Sequence, residues 1–129
     1  MRDFSGNANL EFYHAIYEEL KELDISILVN NAGVLYTDYF KDLPLKEITD
    51  TLDVNVTHVS AMSKVFLQKL LTRKKKSALI NVSSLTGFAP AAGAAIYHAS
   101  KGFCTYFTQS LAADMRGKLD VQCLTPGTT

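Results

Sequence analysis

Apolar residues recur with a helical period in three segments of the chain. Residues 8–23 predict an amphipathic helix with an acidic outer face. Residues 43–74 predict one long helix or two abutting helices, and residues 94–116 predict a further helix, with Gly117 as a candidate stop. The first of these segments places its apolar residues at Leu10, Tyr13, Ile16, Tyr17, Leu20 and Leu23.

Three short apolar runs, residues 24–33, 77–84 and 120–127, alternate with these helical segments. Their near-continuous apolar character is typical of parallel strands that are buried on both faces. Right-handed crossovers place the connecting helices on both sides of such a sheet. The pattern therefore predicts a three-layer α/β/α fold with a doubly wound parallel sheet.

The composition is that of one soluble globular unit. The chain has 129 residues, of which 47% are hydrophobic, and 13 basic residues balance 13 acidic ones. This balance gives no overall field that would favour nucleic acid, so no nucleic-acid partner is expected. The basic run "TRKKK" at 72–76 is interpreted as a solvated turn. Cys104 and Cys123 match no metal or redox spacing, so we expect reduced thiols and no metal site.

Polar or glycine-bearing residues follow each predicted strand: "NNAG" at 30–33, "SS" at 83–84 and "TPG" at 125–127. In parallel sheets of this class, ligands bind beyond the carboxyl ends of the strands. Because the topology brings all three ends to one edge of the sheet, the sequence predicts a binding site there.

The stretch "GAAIYHASKGF", residues 93–103, places Tyr97 and Lys101 one helical turn apart on the same helix face. In isolation, such a pair is usually a packed tyrosine beside a lysine that reaches solvent. The coarse topology adds Ser84 at the end of the second strand. Asn55 is a polar residue in an apolar part of the long helix, where it either bonds its own helix or has a functional role.

These residue types suit proton transfer to or from a substrate oxygen. Reduction of a carbonyl by hydride needs a proton donor at the oxygen, and the reverse reaction needs a base at the hydroxyl group. An ammonium group beside a phenol favours the phenolate form and eases the exchange. Ser84 is suited to hydrogen-bond the substrate oxygen, and Asn55 to hold a water that links Lys101 to solvent.

The ordered set "NNAG", the asparagine of "DVNV", "INVSS", "YHASK" and "TPG" resembles the short-chain dehydrogenase/reductase family. The interval of 13 residues from Ser84 to Tyr97 is also similar to that of the family, and the resemblance runs from "DFS" at 3–5 to Thr129. Within the family, "DISILVNNAG" and "VQCLTPG" most resemble the branch of steroid dehydrogenases and long-chain 3-oxoacyl-CoA reductases.

The resemblance implies a Rossmann-like fold, formed in part, with residues 1–129 as one partial domain. It implies a catalytic tetrad of Asn55, Ser84, Tyr97 and Lys101, with Tyr97 as the acid/base. It also implies cofactor contacts from the adenine side to the nicotinamide side. Those positions are Asp3, Phe4, Asn31, Ala32, Gly33, Tyr97, Lys101, Pro126, Gly127 and Thr128.

The activity implied by the resemblance is NAD(P)-dependent interconversion of a ketone and a secondary alcohol of the steroid or 3-oxoacyl type. The cofactor is NADP or NAD, with NADP slightly favoured. The family's T-G-x-x-x-G-x-G phosphate-binding turn does not occur in the sequence. We therefore expect a fragment of a longer protein that is active only in its full-length form. Epimerase or dehydratase chemistry is the less favoured reading of the same tyrosine and lysine.

The alternative hypothesis is a non-catalytic, truncated family member that serves as an interaction or assembly module. Residues 43–74 and 94–116 correspond to the usual dimer surface of the family, so the resemblance implies a homo-oligomer. Members of the suspected branch can carry an N-terminal membrane anchor. The sequence therefore leaves two locations as alternatives, the cytoplasm and the endoplasmic reticulum, and it does not decide whether the protein associates with a membrane.

Overall fold

Three strands alternate with four α-helices in the computed structural model, which describes residues 2–6 and 9–127. A π-helical turn is formed by Asp53–Thr57 and a 3-10 turn by Leu85–Gly87. In chain order the elements are α1 (Leu10–Leu20), β1 (Ile27–Asn30), α2 (Leu45–Leu52), α3 (His58–Thr72), β2 (Ala78–Val82), α4 (Ala95–Asp114) and β3 (Asp120–Leu124).

The strands form one parallel sheet in the order β1-β2-β3. In its register, Leu79 lies opposite Leu28 on one side and Val121 on the other. All three carboxyl ends therefore lie at the same edge, as the sequence predicts. The two predicted readings of residues 43–74 are reconciled by the π-helical turn, which makes α2 and α3 one helix with a widened turn inside it.

Two buried asparagines show on which face of the sheet the helices lie. Asn30 and Asn81 are partners in the β1–β2 register, and the Asn30 amide donates to Asn81 Oδ1 at 2.8 Å. Asn30 also donates to Ser63 Oγ of α3 at 3.1 Å, and Asn81 donates to Thr108 Oγ1 of α4 at 2.9 Å. Because the two amides meet on one face, α3 and α4 cover that same face.

The helix-covered face carries the apolar core. Tyr13 of α1 packs with Met62 and Phe66 of α3, which places α1 in the same layer. A second cluster joins Leu70, Leu79 and Leu119 beneath the far ends of α3 and α4. Burial of a side chain of this size contributes about 1.5–3 kcal/mol, so the two clusters anchor the helices on the sheet.

The opposite face of the sheet is open. Ile27, Val29 and Leu124 point to that side with 54%, 50% and 47% of their surface exposed. The described residues thus build one of the two helical layers that a doubly wound sheet carries. The Rossmann-like parallel α/β class is confirmed in this partial form. Over residues 2–6 and 9–127, no helix has the length and apolar character required to span a membrane.

Candidate active site

A pocket of about 280 Å³ lies at the carboxyl ends of the three strands. It receives residues from the loop after β1, from the end of β2, from α4 and from the segment after β3. The lining residues are Asn31, Gly33, Val34, Leu35, Val82, Ser83, Ser84, Tyr97, Lys101, Pro126 and Gly127. Three of the four predicted catalytic residues therefore share one cavity with four further residues that are predicted to contact the cofactor.

Lys101 is the buried cation of this pocket. Only 5% of its surface is exposed, and its Nζ donates a hydrogen bond to the Val82 carbonyl oxygen at 3.0 Å. Burial lowers the pKa of Lys101 because the charged ammonium loses its hydration. The same Nζ lies 5.7 Å from the centre of the Tyr97 ring. One helical turn thus places a desolvated ammonium and a phenol at the same cavity, as the i, i+4 spacing predicts.

The two adjacent serines have different environments. Ser84 is half-buried, and its Oγ accepts the Thr86 backbone N–H at 3.2 Å, which leaves its hydroxyl hydrogen available to the pocket. Ser83 is buried, and its Oγ donates to the Lys101 carbonyl at 2.8 Å and contacts Thr105 Oγ1 at 2.7 Å. Ser84 can therefore donate to a ligand, whereas Ser83 holds the helix that carries Lys101.

Asn55 lies behind the pocket wall and is 1% exposed. Its Oδ1 accepts the Val34 N–H at 2.9 Å, and its Nδ2 donates to the Val34 carbonyl at 2.9 Å and to Ser100 Oγ at 3.0 Å. Both amide hydrogens are thus used by protein groups, so only the oxygen atoms of Asn55 remain for the predicted water. The side chain acts as a clamp between the long helix, the loop after β1 and α4.

The π-helical turn presents Asn55 for these contacts. The His58 N–H bonds the Asp53 carbonyl five residues back, and the turn is widened relative to an α-helix. Such single turns are rare and frequently occur at functional sites. His58 follows at once and is 3% exposed, with its Nδ1 hydrogen-bonded to the Val54 carbonyl at 3.1 Å. Burial, and secondarily the charge of Lys101, lower the pKa of His58.

Several predicted cofactor positions lie outside this pocket. Phe4 packs in the α1–α3 core, with its ring 4.0 Å from that of His58. Asp3 accepts the Ser5 N–H through its Oδ1 at 2.9 Å and does not line the cavity. Ala32 lies in the loop between two lining residues but does not line the cavity itself. Thr128 lies outside the described residues.

Two glycines, Gly33 and Gly87, lie close to Lys101. A Cβ on Gly33 would lie 3.4 Å from Lys101 Nζ and 3.5 Å from Asn55 Oδ1, which are ordinary contacts, so Gly33 lies directly beside the ammonium. A Cβ on Gly87 would lie 2.8 Å from the Lys101 carbonyl oxygen. The 3-10 turn therefore sits on the backbone of α4 at the position of Lys101, and a side chain at Gly87 would displace it.

The sequence interpretation missed residues that build the walls of the pocket. Val34, Leu35 and Val82 line it, and Ser100 bridges Asn55 to the backbone of Tyr97. The three apolar residues carry no chemical signal that distinguishes them from core residues. Ser100 has a detectable one, because a hydroxyl residue three positions after Tyr97 can bond the Tyr97 carbonyl within the helix.

Comparison with known proteins connects this geometry to a family. The family model described as short chain dehydrogenase matches residues 5–129. Hydroxysteroid dehydrogenase-like protein 1 of Gallus gallus is 39% identical over 127 residues, which are 96% of this chain and 38% of that protein. The very-long-chain 3-oxoacyl-CoA reductase of Anas platyrhynchos is 35% identical over 121 residues, 90% of this chain and 38% of that protein.

A relative whose name marks it as inactive is also similar. The inactive hydroxysteroid dehydrogenase-like protein 1 of Homo sapiens is 36% identical over 127 residues, 96% of this chain and 38% of that protein. The chain thus spans about two fifths of the length of these three relatives. Similarity on this scale covers the described fold and pocket and leaves the larger part of each relative unmatched.

Solved structures share the same arrangement. The bulky-bulky ketone specific alcohol dehydrogenase from Comamonas testosteroni superposes with a TM-score of 0.86 at 26% identity, covering 100% of this chain and 51% of that one. A gluconate 5-dehydrogenase from Beutenbergia cavernae, described as putative and with bound NADP at low occupancy, gives a TM-score of 0.82 at 28% identity. That match covers 93% of this chain and 49% of the other.

Proposed function

Because this chain belongs to the short chain dehydrogenase family, we propose that it forms the catalytic part of an oxidoreductase that interconverts a ketone and a secondary alcohol. The observation that carries the proposal is the convergence of Ser84, Tyr97 and Lys101 on one pocket at the carboxyl edge of the sheet. Since the chain spans about two fifths of its relatives, the activity is proposed for the full-length form.

The proposed cofactor is a nicotinamide dinucleotide, with NADP slightly favoured over NAD. When bound, the nicotinamide supplies or accepts the hydride. Lys101 Nζ has three hydrogens, and its bond to the Val82 carbonyl uses one, so two remain for ribose hydroxyl groups. Gly33, Pro126 and Gly127 line the same pocket. These features fit a sugar-bearing cofactor. The bound NADP of one solved neighbour supports the same assignment.

In the proposed reduction, the Tyr97 hydroxyl gives its proton to the carbonyl oxygen as the new C–H bond forms at the carbonyl carbon. In the oxidation, the Tyr97 oxygen takes the proton from the alcohol. The buried ammonium of Lys101 stabilises negative charge on that oxygen. Ser84 donates its free hydroxyl hydrogen to the substrate oxygen and fixes its direction, while Asn55 holds the pocket wall in place.

The proposed substrate is an apolar ketone of the steroid or 3-oxoacyl type. Val34, Leu35 and Val82 give the pocket an apolar wall next to the polar catalytic groups. The relatives named hydroxysteroid dehydrogenase-like protein 1 and very-long-chain 3-oxoacyl-CoA reductase support this class.

The second candidate function is that of a non-catalytic assembly module. The relative named inactive favours it, and so do the apolar residues exposed on the helices. On α4, Tyr106 is 66% exposed and the rings of Phe103 and Phe107 stack at 5.6 Å, while Leu45 of α2 is 74% exposed.

We propose that α2, α3 and α4 form the contact of a homo-oligomer. Tyr106→Glu is expected to lower the oligomer mass in sedimentation analysis, whereas an unchanged mass would exclude α4 from the contact.

The two functions are separated by a fluorescence titration of the purified full-length form with NADPH and then NADH. Saturable binding is expected in the wild type and in Tyr97→Phe, and its loss is expected in Lys101→Ala. Lys118→Ala changes an exposed lysine and serves as the control. Absence of saturable binding up to about millimolar cofactor, the upper end of the usual range for substrates, would contradict a cofactor site in this chain and favour the assembly module.

A further inference from the structure

Ser100 connects the helix turn of the candidate active site to a residue of the long helix. The serine is 1% exposed and lies between Tyr97 and Lys101 on α4. Its Oγ donates to the Tyr97 carbonyl at 2.7 Å and accepts a hydrogen from Asn55 Nδ2 at 3.0 Å. A single buried hydroxyl thus bridges two of the proposed catalytic residues without lining the pocket itself.

The direction of these bonds fixes the orientation of the Asn55 amide. A serine hydroxyl has one hydrogen, and Ser100 gives it to the Tyr97 carbonyl, so toward Asn55 it can only accept. Asn55 therefore turns its NH₂ group to Ser100 and to the Val34 carbonyl, and its Oδ1 to the Val34 N–H. A flipped amide would set Oδ1 against the Ser100 lone pairs and Nδ2 against the Val34 N–H.

We propose that Ser100 is a positioning residue that anchors the Asn55 amide to α4 and, through it, holds Val34 of the pocket wall at a set distance from the Tyr97–Lys101 turn. The catalytic meaning of this role rests on the proposed function, whereas the positioning itself does not. Ser100 does not line the pocket, and its effect is exerted through Asn55 and Val34.

The chain contains a matched control for this serine. Ser63 on α3 is 2% exposed, its Oγ donates to the Val59 carbonyl of its own helix, and it accepts a hydrogen from Asn30 Nδ2 at 3.1 Å. Ser63 therefore makes the same two kinds of bond as Ser100, but its amide partner is Asn30 instead of Asn55. Loss of either hydroxyl removes equivalent interactions from the folded state.

The test compares Ser100→Ala, Ser100→Thr and Ser63→Ala by amide hydrogen exchange of the whole chain, read by NMR. The Val34 amide reports on its bond to Asn55 Oδ1. In Ser100→Ala we expect the Val34 amide to exchange about tenfold faster than in the wild type, after the rate has been corrected for the change in global stability. In Ser100→Thr, which keeps the hydroxyl, and in Ser63→Ala, the corrected rate is expected to match the wild type.

An unchanged Val34 rate in Ser100→Ala, or an equal acceleration in Ser63→Ala, would overturn the proposal. If Ser100→Ala does not fold, Ser100→Cys removes the strong hydrogen bonds at nearly the same volume and is judged by the same criteria. The exchange measurement needs no cofactor. A Val34 response, together with no cofactor binding by the full-length form, would uphold the positioning role while contradicting the proposed function.

Discussion

The ammonium nitrogen of Lys101 lies 5.7 Å from the centre of the Tyr97 ring while it donates a hydrogen bond to the Val82 carbonyl. A cation this close to an aromatic face gains about 0.5–2 kcal/mol, with the larger values for desolvated pairs. Lys101 is held from both sides, by the end of β2 and by its own helix, so its charge has a fixed position in the pocket.

Removal of this buried charge should stabilise the fold at neutral pH. Because burial lowers the pKa of Lys101, the unfolded chain binds more protons than the folded chain between the folded-state pKa and the ordinary value of 10.5. The wild type therefore gains stability as the pH rises through that window. Lys101→Met should unfold with a higher free energy than the wild type near neutral pH.

The gain from Lys101→Met is expected to shrink toward pH 10.5, the ordinary pKa of lysine. Urea unfolding of both proteins at several pH values, monitored by circular dichroism, measures this difference in the free energy of unfolding. A gain that is the same at neutral and alkaline pH would show that burial does not shift the titration of Lys101.

The two serines after β2 should separate stability from activity. Ser83→Ala removes the hydrogen bond from the Ser83 hydroxyl to the Lys101 carbonyl oxygen. Because that buried oxygen then accepts one hydrogen bond fewer, the free energy of unfolding is expected to fall by about 1–2 kcal/mol. Ser84→Ala removes only the longer bond from the Thr86 N–H at 3.2 Å, so it should cost less, about 0.5–1 kcal/mol. In the full-length form, turnover should fall more for Ser84→Ala. The reverse order of turnover would assign the substrate contact to Ser83.

Gly87 and Gly102 provide a pair with opposite expected effects. A Cβ at Gly87 would meet the Lys101 carbonyl oxygen at 2.8 Å, so Gly87→Ala should cost about 1–3 kcal/mol. A Cβ at Gly102 would have only the Gly87 carbonyl at 3.5 Å, an ordinary contact. Gly102→Ala in α4 should therefore be neutral or stabilise by up to about 1 kcal/mol. Thermal unfolding of both variants checks this, and equal losses would disprove the close approach at Gly87.

Mild acid should weaken the fold through His58. Because burial lowers the pKa of this imidazole, the unfolded chain takes up a proton just below the ordinary value of 6.5 while the folded chain does not. The contribution of His58 to stability is thus complete above about pH 6.5 and declines below it. His58→Gln should reduce the loss of stability between neutral pH and pH 5, whereas His14→Gln on the exposed face of α1 should not. Identical losses in both variants would place the acid sensitivity elsewhere.

The parts of this fold that depend on local pattern could be predicted from the sequence. Strand ends, helix spans and the shared face of Tyr97 and Lys101 follow from periodicity and from the parallel topology. The partners of Asn55 could not, because Val34 and Ser100 lie 21 and 45 residues away along the chain. The different environments of Ser83 and Ser84 likewise depend on how closely Gly87 lets the turn approach α4.

The hydrogen bond between Asn30 and Asn81 has a consequence for how the chain avoids misfolding. A slip of one residue between β1 and β2 would point Asn81 to the opposite face and leave the Asn30 amide against apolar neighbours, with a buried donor unsatisfied. The strands themselves are apolar and would tolerate several alignments. The hydrogen bond between Asn30 and Asn81 therefore selects one register of β1 and β2. That register sets the spacing of Asn31 and Ser84 at the edge of the sheet before any ligand is present.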